Sequence, residues 1–137
     1  MRERIFVDTA VLALAVGGHH PLREPCRALL HAAAAGDVEL NISTEAIQEL
    51  LFHRMRRGDR GVAVSLVRDV RTMCRVHAFD DTIVSRMLDL VAAGGVGGRD
   101  AVHAATALEQ GFDAIVSPDR DLDGVPGLRR LDPGAAP

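Results

Sequence analysis

The chain has 137 residues, 47% of them hydrophobic, which suits one domain over 1–137 with a core that needs no disulfide or structural metal. All 16 basic residues are arginine, which excludes a P-loop nucleotide site with its phosphate-binding lysine, and the formal net charge of −3 argues against blanket adsorption to nucleic acid. No charged leader precedes a long apolar run, and no stretch approaches the roughly 20 apolar residues that span a bilayer, so a soluble cytoplasmic protein with no membrane partner is expected.

In chain order, Ile5-Phe6-Val7 reads as a short strand ending at Asp8, followed by a helix over Ala10–Val16 that Gly17-Gly18 stops. Pro25 suits the first turn of a second helix running to the alanines at 32–35 and ending at Gly36. Val38 to Ile42 alternates like a strand. Ser43 or Thr44 then caps a helix to about Arg57, which Gly58-Asp59 breaks. From about Arg60 a further helix carries Ala63, Leu66, Val67, Val70, Met73 and Cys74 on one stripe. Val76 to Phe79 is the next strand, with Asp80 or Asp81 capping a helix whose stripe is Ile83, Val84, Met87, Leu88 and Val91. Gly94-Gly95-Val96-Gly97-Gly98 is a loop and not a dinucleotide fingerprint, since it follows a helix. A helix over Ala101, Ala104, Ala105 and Leu108 ends at Gly111, Ala114 to Ser117 is a compact strand, and Leu128 to Leu131 is a last, edge-like one.

Strands separated by helices imply crossover connections, hence a mostly parallel sheet with helices on both faces. Ligands of such sheets bind beyond the carboxyl ends of the strands. Asp8 and Asp119 both stand there, and Asp100 flanks the apolar stripe of its helix, where a carboxylate is partly desolvated. Each acid also has a purely structural account: Asp8 as a helix cap, Asp100 as a partner of the helix dipole, and Asp119, Asp121 and Asp123 as turn residues. On the helical wheel Glu45 and Glu49 share a polar side, and spacing does not choose between them. Carboxylates gathered without a cation raise one another's pKa, so a cluster implies a counter-ion, and magnesium is the oxygen-seeking candidate. The six histidines form no zinc comb, and Cys26 and Cys74 read as small buried thiols.

Charge is unevenly distributed. Residues 54–75 hold seven arginines against two aspartates, and residues 76–137 hold five arginines against ten acids. The basic stretch reads either as a solvated helix face or as a phosphate-contact surface.

Phe6-Val7-Asp8-Thr9, the segment from Ile42-Ser43 to Gln48-Glu49-Leu50, Arg99-Asp100-Ala101-Val102-His103-Ala104-Ala105, and Ser117-Pro118-Asp119-Arg120-Asp121-Leu122 with Val125-Pro126-Gly127-Leu128 follow one another in an order and spacing that resembles the PIN-domain ribonucleases, specifically VapC-type toxins of type II toxin–antitoxin pairs. The resemblance covers nearly the whole chain and implies a PIN-like three-layer α/β sandwich. It selects Glu49 over Glu45 and Asp119 over Asp121, with Asp121 assisting. The chain departs from the family pattern at Leu122, where an aromatic is usual, and at Pro118. By this resemblance Asp8, Glu49, Asp100 and Asp119 hold Mg²⁺ or Mn²⁺ for hydrolysis of RNA phosphodiesters, and no protein nucleophile is required. Thr9 and Ser117 are then the hydroxyls that orient the carboxylates. Arg54, Arg56, Arg57 and Arg60 are candidates for the RNA backbone, while the lack of Tyr and Trp leaves few stacking platforms for bases. A homodimer and a small antitoxin partner are also implied. Two other readings stand beside it: a PIN-like interaction module without catalysis, and an aspartate-nucleophile phosphohydrolase built on Asp8, which lacks the second acid because Ala10 holds its place.

Overall fold

The computed structural model describes residues 2–135. Strands β1 (Glu3–Phe6), β2 (Val38–Ser43) and β3 (Cys74–His77) pair in parallel in the order β1-β2-β3, and β4 (Ala114–Val116) pairs in parallel with β5 (Arg129–Leu131). A parallel bridge between Val7 and Val116 joins the two groups, and the Asp8 amide donates to the Val116 carbonyl at 3.0 Å. The strands therefore lie in the order β3-β2-β1-β4-β5. The direction in which successive strands are added reverses between β1 and β4, which makes the space beyond their carboxyl ends the place where a parallel sheet opens a crevice.

Six helices supply the crossovers: α1 (Thr9–Val16), α2 (Arg23–Ala34), α3 (Thr44–Met55), α4 (Arg60–Met73), α5 (Asp81–Ala92) and α6 (Gly98–Glu109). Period-2 alternation in the strands divides the core. Ile5, Val7, Leu40, Ile42 and Val116 face Val11, Leu12, Leu29, Leu50, Val67 and Val70 from α1 to α4. Phe6 and Ile115 face the other way, toward Ala104 and Ala107 of α6 and the buried Leu122. Helices thus cover both faces, and the expected three-layer PIN-like sandwich is what the chain forms. Leu122, the position where an aromatic is usual, is fully buried and fills its place as an aliphatic.

The caps left open by the sequence resolve to one residue each. Ser43 Oγ accepts from the Glu45 amide at 3.1 Å, and Asp80 Oδ1 accepts from the Ile83 amide at 3.1 Å. β3 begins two residues earlier than its apolar pattern suggests. Cys74 pairs with Leu40 and ends α4, so it belongs to the strand and not to the helical stripe. Burial pushes the Cys26 thiol to about 11 and the Cys74 thiol to about 12, although Cys74 is only half-buried. Thiols shifted in that direction carry little thiolate at neutral pH.

Gly95 has a φ of +88°, and a Cβ there would stand 3.2 Å from the Gly124 carbonyl oxygen; a Cβ on Gly124 would stand 3.0 Å from that of Gly95. The glycine loop before α6 therefore lies backbone against backbone on the 3₁₀ turn over Arg120–Gly124. That approach brings together two segments that carry acids, Asp100 on one and Asp119 and Asp121 on the other. Among the described residues, no helix is long and apolar enough to cross a membrane.

Candidate active site

Asp8 follows β1 after one residue, the bridging Val7, and stands at the start of α1, but its side chain makes no capping hydrogen bond. It is buried and accepts from Ser117 Oγ at 2.7 Å through Oδ2. The same Ser117 oxygen accepts from the Asp119 amide at 3.0 Å. One hydroxyl at the end of β4 thus fixes the first acid through its carboxylate and the last through its backbone. The Asp119 carboxylate in turn accepts from the Asp121 amide at 2.9 Å, so its role as a turn residue is realised without removing it from the site.

Asp100, Asp119 and Asp121 each offer an oxygen within 4.8 Å of the others. Asp121 is exposed and Asp100 and Asp119 are half-buried. Burial pushes the Asp100 carboxyl up to about 6, and the charges of Asp119, Asp8 and Asp121 push in the same direction, while His103 opposes them. A group of hard anionic oxygens carrying more negative charge than its surroundings neutralise is the donor set that suits a divalent cation.

Glu49 projects from the middle of α3 toward α6. Its side chain is 16% exposed, so the polar side of the wheel is here an inter-helical surface and not a solvated one. Oε1 accepts from Thr9 Oγ1 at 2.8 Å and lies 2.6 Å from His103 Nε2, and Oε2 accepts from Arg99 Nη2 at 3.1 Å. Burial raises the Glu49 pKa, but the His103, Thr9 and Arg99 donors outweigh it and hold the carboxyl down at about 2. Burial likewise pulls His103 down, and its bond to Glu49 with the charges of Asp8, Glu49 and Asp100 brings it above its ordinary value.

Asp8, Thr9, Glu49, Asp100 and Asp119 all line one cavity of about 350 Å³ with Ala10, Arg99 and His103. Arg54, Arg56, Arg57 and Arg60 are not among its lining residues. They cluster at the end of α3, in the following turn and at the start of α4, with Arg56 lying 5.6 Å over the Phe52 ring. Phe52 is 58% exposed and borders a neighbouring groove of about 540 Å³ that shares Glu49 and Arg99 with the acidic cavity.

Three residues with a part in this geometry are absent from the sequence reading of the site. His103 is one turn after Asp100 on α6, a spacing that puts the two on one face and that a search for zinc combs passes over. Arg99 is 86% exposed and reaches back to Glu49, a pairing across 50 positions that no local pattern encodes. Arg130 on β5 donates through Nη1 to the Ser117 carbonyl at 2.9 Å and through Nε to Asp123 at 2.6 Å, bracing both ends of the loop that carries Asp119.

The PIN-domain family model matches residues 5–128. The chain is 36% identical to Ribonuclease VapC7 of Mycobacterium tuberculosis over 135 residues, covering 96% of this chain and 93% of that one. It is 34% identical over 119 residues to Ribonuclease VapC23 of the same species, covering 86% and 94%. Among solved structures, the fold resembles VapBC2 from Rickettsia felis bound to a promoter DNA fragment, with a TM-score of 0.74 at 14% identity over 94% of this chain and 98% of that one. It also resembles Mycobacterium tuberculosis VapC20, described as a sarcin-ricin loop cleaving toxin, with a TM-score of 0.68 at 18% identity over 91% and 98%. A matched family model over most of the chain, close relatives along nearly its full length and the same fold in distant structures lead to one assignment: the chain belongs to the PIN-domain family, in its VapC-type branch.

Proposed function

We propose that this protein is a divalent-cation-dependent endoribonuclease toxin that hydrolyses RNA phosphodiester bonds and is neutralised by a cognate antitoxin. The observation that carries the reading is the convergence of Asp100, Asp119 and Asp121 beside the buried Asp8, at the point where strand order reverses. The ribonuclease names of its relatives at 34–36% identity support RNA as the substrate.

Asp8, Asp100 and Asp119, with Glu49 on the same cavity wall and Asp121 beside them, would hold Mg²⁺ or Mn²⁺. A divalent ion there supplies Lewis acidity to the scissile phosphate, lowers the pKa of water at the site and offsets charge on the leaving oxygen. Ser117 holds the Asp8 carboxylate in one orientation, and Thr9 does the same for Glu49. Ser117 is fully buried and does not line the cavity, and water serves as the nucleophile in this reading. A phospho-enzyme on Asp8 is disfavoured by Ala10, which lines the cavity where that mechanism needs a second acid.

Arg54, Arg56, Arg57 and Arg60 would position the RNA backbone. Phe52 and Arg56 stand three and seven residues after Glu49, so they continue its stripe along α3 and offer a path from the cavity to the basic stretch. Antitoxin binding is supported by the toxin–antitoxin complexes among the structural neighbours. Self-association as a homodimer is supported by the exposed Phe52 and Met55 on α3 and Leu88 and Val91 on α5.

The test is cleavage of structured RNA by the purified chain with and without Mg²⁺ or Mn²⁺, compared with Asp8→Asn and Asp100→Asn. A single lost oxyanion-hole donor costs about 10²–10³ in rate, and on that scale both variants should fall by at least as much. An inert wild type, or variants that cut as well as it does, ends the nuclease reading.

A further inference from the structure

We infer that His103 is a positioning residue of the acidic centre: its Nε2 fixes the Glu49 carboxylate next to Asp8 and so sets the affinity of the centre for a divalent cation. The inference rests on the reading of the cavity as a cation site and assigns a role within it to a residue outside the acid quartet.

Three observations carry it. His103 Nε2 lies 2.6 Å from Glu49 Oε1, 3.3 Å from Thr9 Oγ1 and 3.9 Å from Asp8 Oδ1, so one ring nitrogen meets an α3 carboxylate, an α1 hydroxyl and the carboxylate that follows β1. The imidazole is 2% exposed on α6, between Val102 and Ala104, which are themselves buried. Its Nδ1 is buried with no hydrogen-bond partner among the described residues. A ring kept only as core packing would use that nitrogen or be replaced by an apolar side chain, because an unmade buried hydrogen bond costs stability. All of its polar contact is directed at the site.

The consequence concerns Glu49 more than His103 itself. Glu49 stands on a helix whose buried residues are Ala46 and Leu50, and the contacts that fix its carboxylate are polar. Thr9 and His103 both engage Oε1, and Arg99, largely exposed, engages Oε2. Thr9 is half-buried and Arg99 is screened by solvent, so the buried His103 is the rigid member of the three. Without it Glu49 keeps only the half-buried Thr9 and the exposed Arg99, and the neighbouring groove that it also lines gives its side chain somewhere to turn.

Partners of this kind typically alter metal affinity by about 10–100-fold when removed. Mn²⁺ binding to the purified full chain, followed by calorimetry or by the loss of the free-ion signal in electron paramagnetic resonance, reads this without any turnover. His103→Gln keeps a donor at the place of Nε2 and should retain the wild-type dissociation constant within about threefold, whereas His103→Leu should weaken it at least about tenfold. In a Glu49→Gln background the His103→Leu change should add little, because the histidine acts through Glu49. If His103→Leu fails to fold by far-ultraviolet circular dichroism, the comparison is made between His103→Gln and His103→Asn, whose amide is one methylene short. Retention by Gln and loss by Asn supports the role, and equal affinity overturns it. A His103→Leu protein that binds Mn²⁺ like wild type, or effects of His103 and Glu49 that simply add, overturns this inference alone. A wild-type chain that binds no Mn²⁺ overturns the cation site and the inference together.

Discussion

Glu49 and Asp100 are both half-buried carboxylic acids on the wall of one cavity, and their surroundings move them in opposite directions. Glu49 is met by three donors and is held at about 2, while Asp100 faces Asp119, Asp8 and Asp121 and is pushed up to about 6. Burial raises both, so desolvation is not what separates them; the sign of the neighbouring groups is. One half of the cavity is already neutralised by the protein. The other half gathers like charges that oppose the ionisation of Asp100. The contrast separates a carboxylate that donors from the chain hold in place from one, Asp100, that it leaves among like charges.

The largest stability effect expected from that contrast is at Glu49. Its folded pKa lies below the unfolded value, so the stability it contributes is fully present above about pH 4.5 and is lost as pH falls through about 2. Glu49→Gln should lower the unfolding free energy near pH 7 by about 2 kcal/mol, with a shallower acid transition in urea titrations at pH 3–5. An unchanged acid limb would remove the anchored half of the comparison.

Gly95→Ala should act on the other half. A side chain at positive φ costs about 1–2 kcal/mol, and its Cβ would press on the Gly124 carbonyl at 3.2 Å, separating the segments that carry Asp100 and Asp119. Mn²⁺ affinity should fall while the acid limb that Glu49 produces stays as in wild type. Equal affinity in the variant would detach the glycine approach from the acidic cluster.

Asp100→Asn should do the reverse of Glu49→Gln in the metal-free protein. With its folded pKa above the unfolded one, Asp100 destabilises little below about pH 4 and fully above about pH 6. Screening at this half-open position reduces the effect to about 1 kcal/mol, so the variant should melt higher than wild type at pH 7.5 and alike at pH 4. Added Mg²⁺ should raise the melting temperature of wild type and leave Asp100→Asn nearly unmoved. A variant that melts lower at pH 7.5 would show that Asp100 is neutralised by a protein partner after all.

The smallest effect lies outside the cavity. Charge reversal at Arg56 and Arg57 should weaken RNA binding and reduce the salt slope by about one for each phosphate that the protein no longer neutralises. An unchanged slope confines RNA binding to the cavity wall, where Arg99 is the exposed cation.

Much of the fold was legible along the chain because its signals are local. Helical stripes, glycine stops, Ser43 and Asp80 as caps, and alternation in β2 all depend on neighbours a few residues away. The start of β3 was not legible in this way, because Cys74 suits either a helix stripe or a strand, and only its pairing with Leu40 decides between them. In the site, Asp8 and Asp119 could be placed beyond strand ends and Asp100 at a helix start, while the choice of Asp119 over Asp121 came from the family resemblance. Glu49 could not be separated from Glu45 by periodicity, since what distinguishes it is contact with α6 and α1, far along the chain.

By itself, then, the sequence determined the alternation of strands and helices, the acids near the strand ends and the basic segment around α3 and α4, because these depend on short-range spacing and composition. Which carboxylates are anchored and which are left as an uncompensated cluster was decided by tertiary structure alone. That division depends on Thr9, Arg99 and His103 meeting Glu49 across 40 to 54 positions, and on two glycines touching through their backbones. Charge is read from sequence by counting, but its compensation is a matter of distance, and distance is set by the fold.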